Sequence, residues 1–208
     1  RLNRLLDRLA ASGLPIYSAP PALFAGAADT QHPQGILLAA EQAEEKAPAR
    51  PARPAYYAYL DAVADPGNLG AIVRSAYAAG AAGLILGPGT ADIYNPKTVR
   101  AAMGALFRLP FCRVEDQRQA LDLFRALGAA AYAAAADGDD IRAAGQALRR
   151  THVWLLGSEA AGVNAFWTQA ADLRLALPMA EGAESLNVAA AAAVLLYQSY
   201  FTQSAAQI

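Results

Sequence analysis

The chain has 208 residues, a formal net charge of −1 and a sequence pI of about 6.1. Hydrophobic residues make up 55% of it, enough for a real core and too many for a disordered chain. The single cysteine, Cys112, excludes an intrachain disulfide and a cysteine metal cluster, and His32 and His152 lie too far apart to suggest a zinc site.

The slightly acidic balance is unlike that of a generally basic nucleic-acid binder, but the kind of positive charge matters more. Only Lys46 and Lys97 are lysines, so the cationic groups are almost all arginine, whose planar fork suits phosphate. No signal-peptide pattern opens the sequence. The uncharged run from Leu186 to Ile208 has a strongly apolar part, Val188 to Tyr197, well short of the ~20 residues that cross a bilayer. It is expected to be a buried helix and not a membrane span.

In chain order, residues 1–12 read as a helix with Leu2, Leu5, Leu6 and Leu9 on one face, and GILLAA (35–40) reads as a strand. Charges in 41–46 give way to alternating proline and alanine in 47–54, an extended spacer. The expected division is a small α/β part over 1–46, a linker over 47–54 and a main domain over 55–208. The main domain opens with YYAYLDAV (56–63) as a strand, a turn at ADPGN (64–68) and a helix over 69–80. A strand at 83–87 and a helix over 95–104 follow, the latter with proline in its first turn. Residues 118–128 form an amphipathic helix, 129–136 a strand, and DGDD a loop. Strands at 152–157 and 173–178 precede a long helix over 185–201. This alternation predicts an α/β fold, a parallel sheet with helices on both faces.

Three segments sit where strands end and loops begin, the edge at which open α/β sheets bind ligands. In DPGNLGAIVR (65–74), Gly67 and Gly70 permit close backbone approach, and Asn68 and Arg74 could face one pocket. A plain strand–helix turn with a surface arginine would read the same way. In LLGSEAAGV (155–163), Gly157 and Glu159 follow a buried strand; Ser158 as a helix N-cap is the simpler alternative. In LPMAEGAESLNVAAAA (177–192), Ser185 is a reasonable N-cap for the last helix, whereas capping does not explain Asn187.

Taken together and in this order, the three segments resemble the signature motifs of the SpoU (TrmH-like) family of RNA 2′-O-methyltransferases, of the SPOUT superfamily. The resemblance covers about residues 56–201. It rests on Asn68, Gly70 and Arg74, on Gly157 and Glu159, and on Pro178, Met179 and Ser185 to Val188. NPKTVRAAMGALFRLP (95–110) is similar to the family's intervening segment. Ala189 stands where the family often has serine, and Ala79-Gly80 where it often has Phe-Gly.

The resemblance implies a parallel-sheet methyltransferase domain with a C-terminal deep trefoil knot, preceded by part of a substrate-binding domain. It implies S-adenosyl-L-methionine as cofactor, held by Ala135, Leu156, Gly157, Glu159, Leu177, Met179, Leu186 and Asn187. It implies ribosomal or transfer RNA as substrate, with Arg74 and Arg100 on the RNA, and catalysis by Arg74, Asn68, Glu159, Ser185 and Asn187. No metal is implied, because the sulfonium leaving group is already activated. Arginine is effectively always protonated, so Arg74 is expected to stabilise the forming alkoxide and hold phosphate more than to act as a base. A cytoplasmic homodimer with composite active sites is also implied.

Two other readings fit the residues less well. A dinucleotide-dependent enzyme would need Gly-x-Gly-x-x-Gly after the first strand; position 68 is Asn, and Gly67 and Gly70 are wrongly spaced. An inactive RNA-binding relative would be expected to lack Arg74, Glu159 or Asn187, and all three are present.

Overall fold

The computed structural model describes residues 2–28, 30, 33–42, 44–158 and 161–205. The chain divides into two compact units, 1–41 and 42–208. The first holds two short helices, α1 (Leu2–Ala11) and α2 (Pro21–Ala27), the latter entered through Pro21. Among its described residues there is no strand. The strand expected at 35–40 is not formed: Leu37 and Leu38 are exposed and, among the described residues, no backbone pairs with them, so an apolar run alone does not suffice.

The second unit is built on six parallel strands: β1 (Tyr56–Leu60), β2 (Gly83–Leu86), β3 (Phe111–Arg113), β4 (Ala130–Asp140), β5 (His152–Leu156) and β6 (Leu173–Ala176). Their order across the sheet is β3-β2-β1-β5-β4-β6. All five residues of β1 and of β5 are buried, as expected for central strands covered on both faces. Alternate residues serve opposite faces. Tyr56, Ala58 and Leu60 join Trp154 and Leu156 in one core; Tyr57 and Tyr59 join Val153 and Leu155 in the other.

The first face is covered by α3 (Pro66–Ala78), α4 (Pro96–Ala101), the 3-10 turn Ala105–Phe107, and α8 (Val188–Ser204), which supply Leu69, Ile72, Val99, Leu106, Leu195 and Leu196. The second face is covered by α5 (Gln117–Leu127) and α7 (Ala165–Ala170). There Trp167 meets Tyr59 edge-on at 4.9 Å and stacks on Phe124 at 5.5 Å. Each such aromatic pair contributes about 0.5–1.5 kcal/mol beyond its buried area. A 3-10 turn (Ile141–Ala144) and α6 (Gly145–Leu148) complete the unit.

Polar side chains at the helix ends decide the boundaries. The Asp65 carboxylate accepts from Asn68 N–H at 2.8 Å and Pro66 fills the first helical position, so α3 begins three residues before the expected start. Asp116 caps α5 by accepting from Gln119 N–H, and Gly128 ends that helix in the left-handed region at φ +66°. The helix expected over 95–104 stops at Ala101, because Met103 and Gly104 turn left-handed at φ +50° and +85°. The expected DGDD loop is strand: Asp139 pairs with Leu175 and Asp140 with Ala176, after an irregularity that begins beyond Ala134. No helix among the described residues is long and apolar enough to cross a membrane.

A buried polar knot ties β5 to α8. His152 is fully buried; its Nδ1 lies 2.8 Å from the Arg150 carbonyl and its Nε2 2.8 Å from Ser199 Oγ, which also accepts from Trp154 Nε1. Burial lowers its pKa from 6.5 to about 4. Between those values the unfolded chain holds the extra proton and the native one does not. Stability should therefore fall as the pH drops from 6.5 to about 4, by at most about 1.4 kcal/mol per pH unit from this group. Urea midpoints at pH 7 and pH 5 should diverge less for His152→Gln than for the parent chain. An equal divergence would remove His152 as the source.

Candidate functional site

The carboxyl ends of β5 and β6 and the irregular middle of β4 open onto one cavity of about 430 Å³. Its walls come mainly from 134–137 within β4, from the loop that follows β5, and from Arg174 onward as the chain runs from β6 into α8, with Thr168 of α7 added. The lining is mainly apolar, through Leu156, Val163, Leu175, Leu177, Leu186 and Leu195, with hydroxyls from Ser158, Thr168 and Ser185. Small-molecule sites have this character, a few fixed polar groups in an apolar cleft. At the rim Arg174 pairs with Asp137 and holds that carboxyl below its usual range.

The wall after β5 is set by backbone contact. Gly157 faces Gly162 so closely that a Cβ on Gly157 would lie 1.9 Å from the Gly162 carbonyl carbon. Ser158 and Gly162 form an antiparallel bridge, and Gly162 N–H donates to the Ser158 carbonyl at 2.8 Å. Among the described residues no helix begins at Ser158. α7 begins after Asn164, whose side-chain oxygen accepts from Phe166 and Trp167 N–H.

Asn164 is itself anchored. The buried Asp61 carboxylate, just beyond β1, accepts from Asn164 N–H at 2.7 Å and from its Nδ2 at 3.0 Å. Burial raises the Asp61 pKa, and the two Asn164 hydrogen bonds oppose that rise. Sequence reasoning overlooked this pair. The signal available was an aspartate ending a strand of otherwise uncharged residues, a position where only a partnered carboxylate is tolerated.

Six of the residues expected to hold a cofactor line this cavity: Ala135, Leu156, Gly157, Leu177, Met179 and Leu186; Ser185 lines it as well. Glu159 lies outside the described residues. Asn187 is not a lining residue. It is the N-cap of α8, accepting from Ala189 N–H at 2.9 Å and Ala190 N–H at 3.4 Å. That corrects the expectation that Ser185 caps this helix and that capping does not explain Asn187. Such a cap contributes about 1 kcal/mol. Asn187 Nδ2 also donates to Asn68 Oδ1 at 3.0 Å, which joins the first and third motif segments within one chain.

Arg74 and Arg100 lie away from the cavity lining. Arg74 is exposed on the third turn of α3, and Arg100 is exposed near the end of α4. Gly70, one turn before Arg74, lets α3 rest directly on α4: a Cβ there would meet the Thr98 carbonyl and Ala101 Cβ at 2.5 Å. Asp137, Thr168, Arg174 and Val188 also line the cavity and were not foreseen. Among the described residues no group of His, Cys, Asp and Glu could hold a metal ion.

This geometry has known counterparts. The chain is 38% identical over 187 residues to the 23S rRNA (guanosine(2553)-2'-O)-methyltransferase RlmP of Bacillus subtilis, spanning 89% of this chain and 73% of that protein. Its structure superposes on the AdoMet-bound rRNA methyltransferase from Sinorhizobium meliloti with a TM-score of 0.82 at 29% identity, over 95% of this chain and 76% of that one. It also matches the SpoU methyltransferase AviRb from Streptomyces viridochromogenes, in complex with AdoMet, with a TM-score of 0.69 at 33% identity, over 79% of this chain and 64% of that one. The model of the SpoU rRNA Methylase family matches residues 55–197, a stretch that contains the cavity walls, the Asp61–Asn164 anchor and the Asn68–Asn187 link, and the chain belongs to that family.

Proposed function

We propose that this chain transfers a methyl group from S-adenosyl-L-methionine to a ribose 2′-hydroxyl of ribosomal RNA. The observation that carries the reading is the cavity at the ends of β5 and β6 and beside β4, where segments from two of the three motifs meet. Its size and apolar lining fit an adenosine-bearing ligand, with Ser158, Thr168 and Ser185 offering hydroxyls and the Asp137–Arg174 pair at the rim. When bound, the cofactor supplies a methyl group carried on a cationic sulfur. The names of the RlmP and Sinorhizobium meliloti relatives, both rRNA methyltransferases, support ribosomal over transfer RNA, and action in the cytoplasm is part of the proposal.

The chain's own residues have these proposed roles. Asn187, fixed by its cap bonds, holds Asn68 against the entry of α8. Ser185 faces the cavity and orients the ribose, with Glu159 as a further orienting group from the β5 loop. Arg74 and Arg100 hold RNA phosphate, and the Arg74 guanidinium stabilises the negative charge that develops on the attacking oxygen. The hydroxyl proton passes to a phosphate oxygen or water.

A deep trefoil knot is part of the proposal. From β6 at one sheet edge the chain returns past the 156–163 loop, shares the cavity with it, and enters α8 beside β5. A homodimer is proposed for a different reason. Val194, Tyr197 and Phe201 follow helical spacing along α8 and are 50%, 37% and 60% exposed, with Tyr200 packed beside them. A second copy would cover such a stripe in an isologous contact. Residues 1–46 are proposed as part of an RNA-binding domain.

Calorimetry tests the core of the reading. S-adenosyl-L-methionine should bind once per chain, and a nicotinamide dinucleotide should give no heat. Binding of the dinucleotide without the sulfonium compound would overturn it.

A further inference from the structure

The segment between the first two motifs carries a surface that the cofactor cavity does not use. From Ile93 to Val114 the chain has four basic residues, Lys97, Arg100, Arg108 and Arg113, and no acidic one, although the whole chain is net negative. Lys97 pairs with Asp65 and Arg113 with Glu45. Arg108 has no ion pair among the described residues and is exposed.

Within this basic stretch two large apolar side chains face outward. Met103 is 73% exposed and Phe107 68% exposed. Their neighbours Ala102, Ala105, Leu106 and Leu109 are buried, so the segment is well anchored and the exposure is not that of a loose loop. Met103 stands at φ +50°, a backbone conformation unusual for a residue with a side chain, and Gly104 follows at +85°. Such left-handed residues persist where the surroundings hold them, and they gather at functional sites. Arg74 lies close by, because α3 packs on both α4 and the 3-10 turn that carries Phe107, and Arg74 shares the α3 face of Gly70.

We infer that Phe107 and Met103 form a stacking platform for an unpaired base of the RNA, flanked by Arg108 and Arg100 as phosphate contacts. This rests on the RNA methyltransferase reading and extends it to how the strand is held. An exposed aromatic ring among arginines suits a single-stranded nucleotide. The ring takes any base on its π-face, and the guanidinium groups track the backbone. An unpaired partner is also what the reaction needs, since a ribose in a regular duplex is harder to bring to a cavity. The α8 stripe is a separate element, so a second copy is not needed to explain the Met103–Phe107 surface.

The test measures binding of the full chain to a fluorescein-labelled single-stranded oligouridine 12-mer over a range of salt. Stacking and phosphate contacts separate in that experiment. Phe107→Ala should weaken binding about tenfold at every salt concentration, leaving the slope of log affinity against log salt unchanged. Arg108→Ala should flatten that slope by about 0.7, the value for one phosphate contact on a single strand. Phe107→Tyr should restore affinity, and Phe107→Leu should not. Binding of S-adenosyl-L-methionine and the molar mass by light scattering should be unchanged in all of them. If Phe107→Ala binds the oligonucleotide as the parent does, the platform is refuted. If Phe107→Ala lowers the molar mass instead, this surface is a contact between copies and the inference is again overturned. A parent chain that binds S-adenosyl-L-methionine but shows no effect of Phe107 sinks only this inference. A parent chain that binds neither ligand sinks the methyltransferase reading itself.

Discussion

Gly157→Ala should lower affinity for S-adenosyl-L-methionine by at least about a hundredfold. The new Cβ would sit 1.9 Å from the Gly162 carbonyl carbon, 2.0 Å from its oxygen and 2.1 Å from Val163 N. All three are backbone atoms, so no side chain can rotate away. Either the 157–163 loop opens or the end of β5 moves. Opening the loop pulls against the Asp61–Asn164 hydrogen bonds, and moving β5 disturbs a strand that is buried throughout. Each route costs on the order of 3 kcal/mol or more, the range of backbone strain and broken buried networks. This loop forms one wall of the cavity, so the loss falls on binding as well as on stability. Calorimetry and thermal melting check both. Gly145→Ala is the control: its backbone is helical, nothing lies within 4 Å of the added carbon, and the melting temperature should hold or rise slightly. Normal cofactor binding by Gly157→Ala would refute the described wall.

Arg74→Ala should reduce methyl transfer by about 10²–10³-fold, the usual loss for one group that stabilises developing negative charge. Cofactor affinity should stay within about twofold, because Arg74 does not line the cavity. Arg74→Lys should fail nearly as badly, since an ammonium cannot reproduce the bidentate fork. Near-normal turnover by Arg74→Lys would show that charge alone suffices. The same variant probes the proposed dimer. Asn68 is bonded to Asn187 of its own chain, whereas Arg74 points to solvent. Mixing Arg74→Ala chains with Asn187→Ala chains should restore partial activity if the arginine serves the partner's cavity. A dimer without restored activity would refute the shared site, and a monomer at micromolar concentration would refute the dimer.

The sheet was legible because its strands are short apolar runs closed by turn residues. The expected 152–157 and 173–178 correspond to His152–Leu156 and Leu173–Ala176. Phe111–Arg113 was not assigned, since three residues carry no periodicity. At 35–40 the composition was right for a strand, but a strand exists only where a neighbour supplies hydrogen bonds. The last helix was displaced by three residues because Ser185 and Asn187 are both good caps, and only the backbone path decides which one turns inward. The cavity residues were legible where the motif resemblance named them. Asp137, Arg174 and the Asp61–Asn164 anchor were not, because each depends on a partner 37 or 103 residues away.

The strand order bears on how the chain is made. β1 lies at the centre, yet its two neighbours arrive at very different times: β2 starts at Gly83, and β5 only at His152. During synthesis β3, β2 and β1 can assemble first, leaving one side of β1 with its amides and carbonyls unpaired. The strand in question is Tyr-Tyr-Ala-Tyr-Leu, apolar on both faces, with neither charge nor proline to discourage a foreign strand. The half-built sheet is thus the form of this chain most exposed to aggregation, and a ribosome that stalled before His152 would release it in that form.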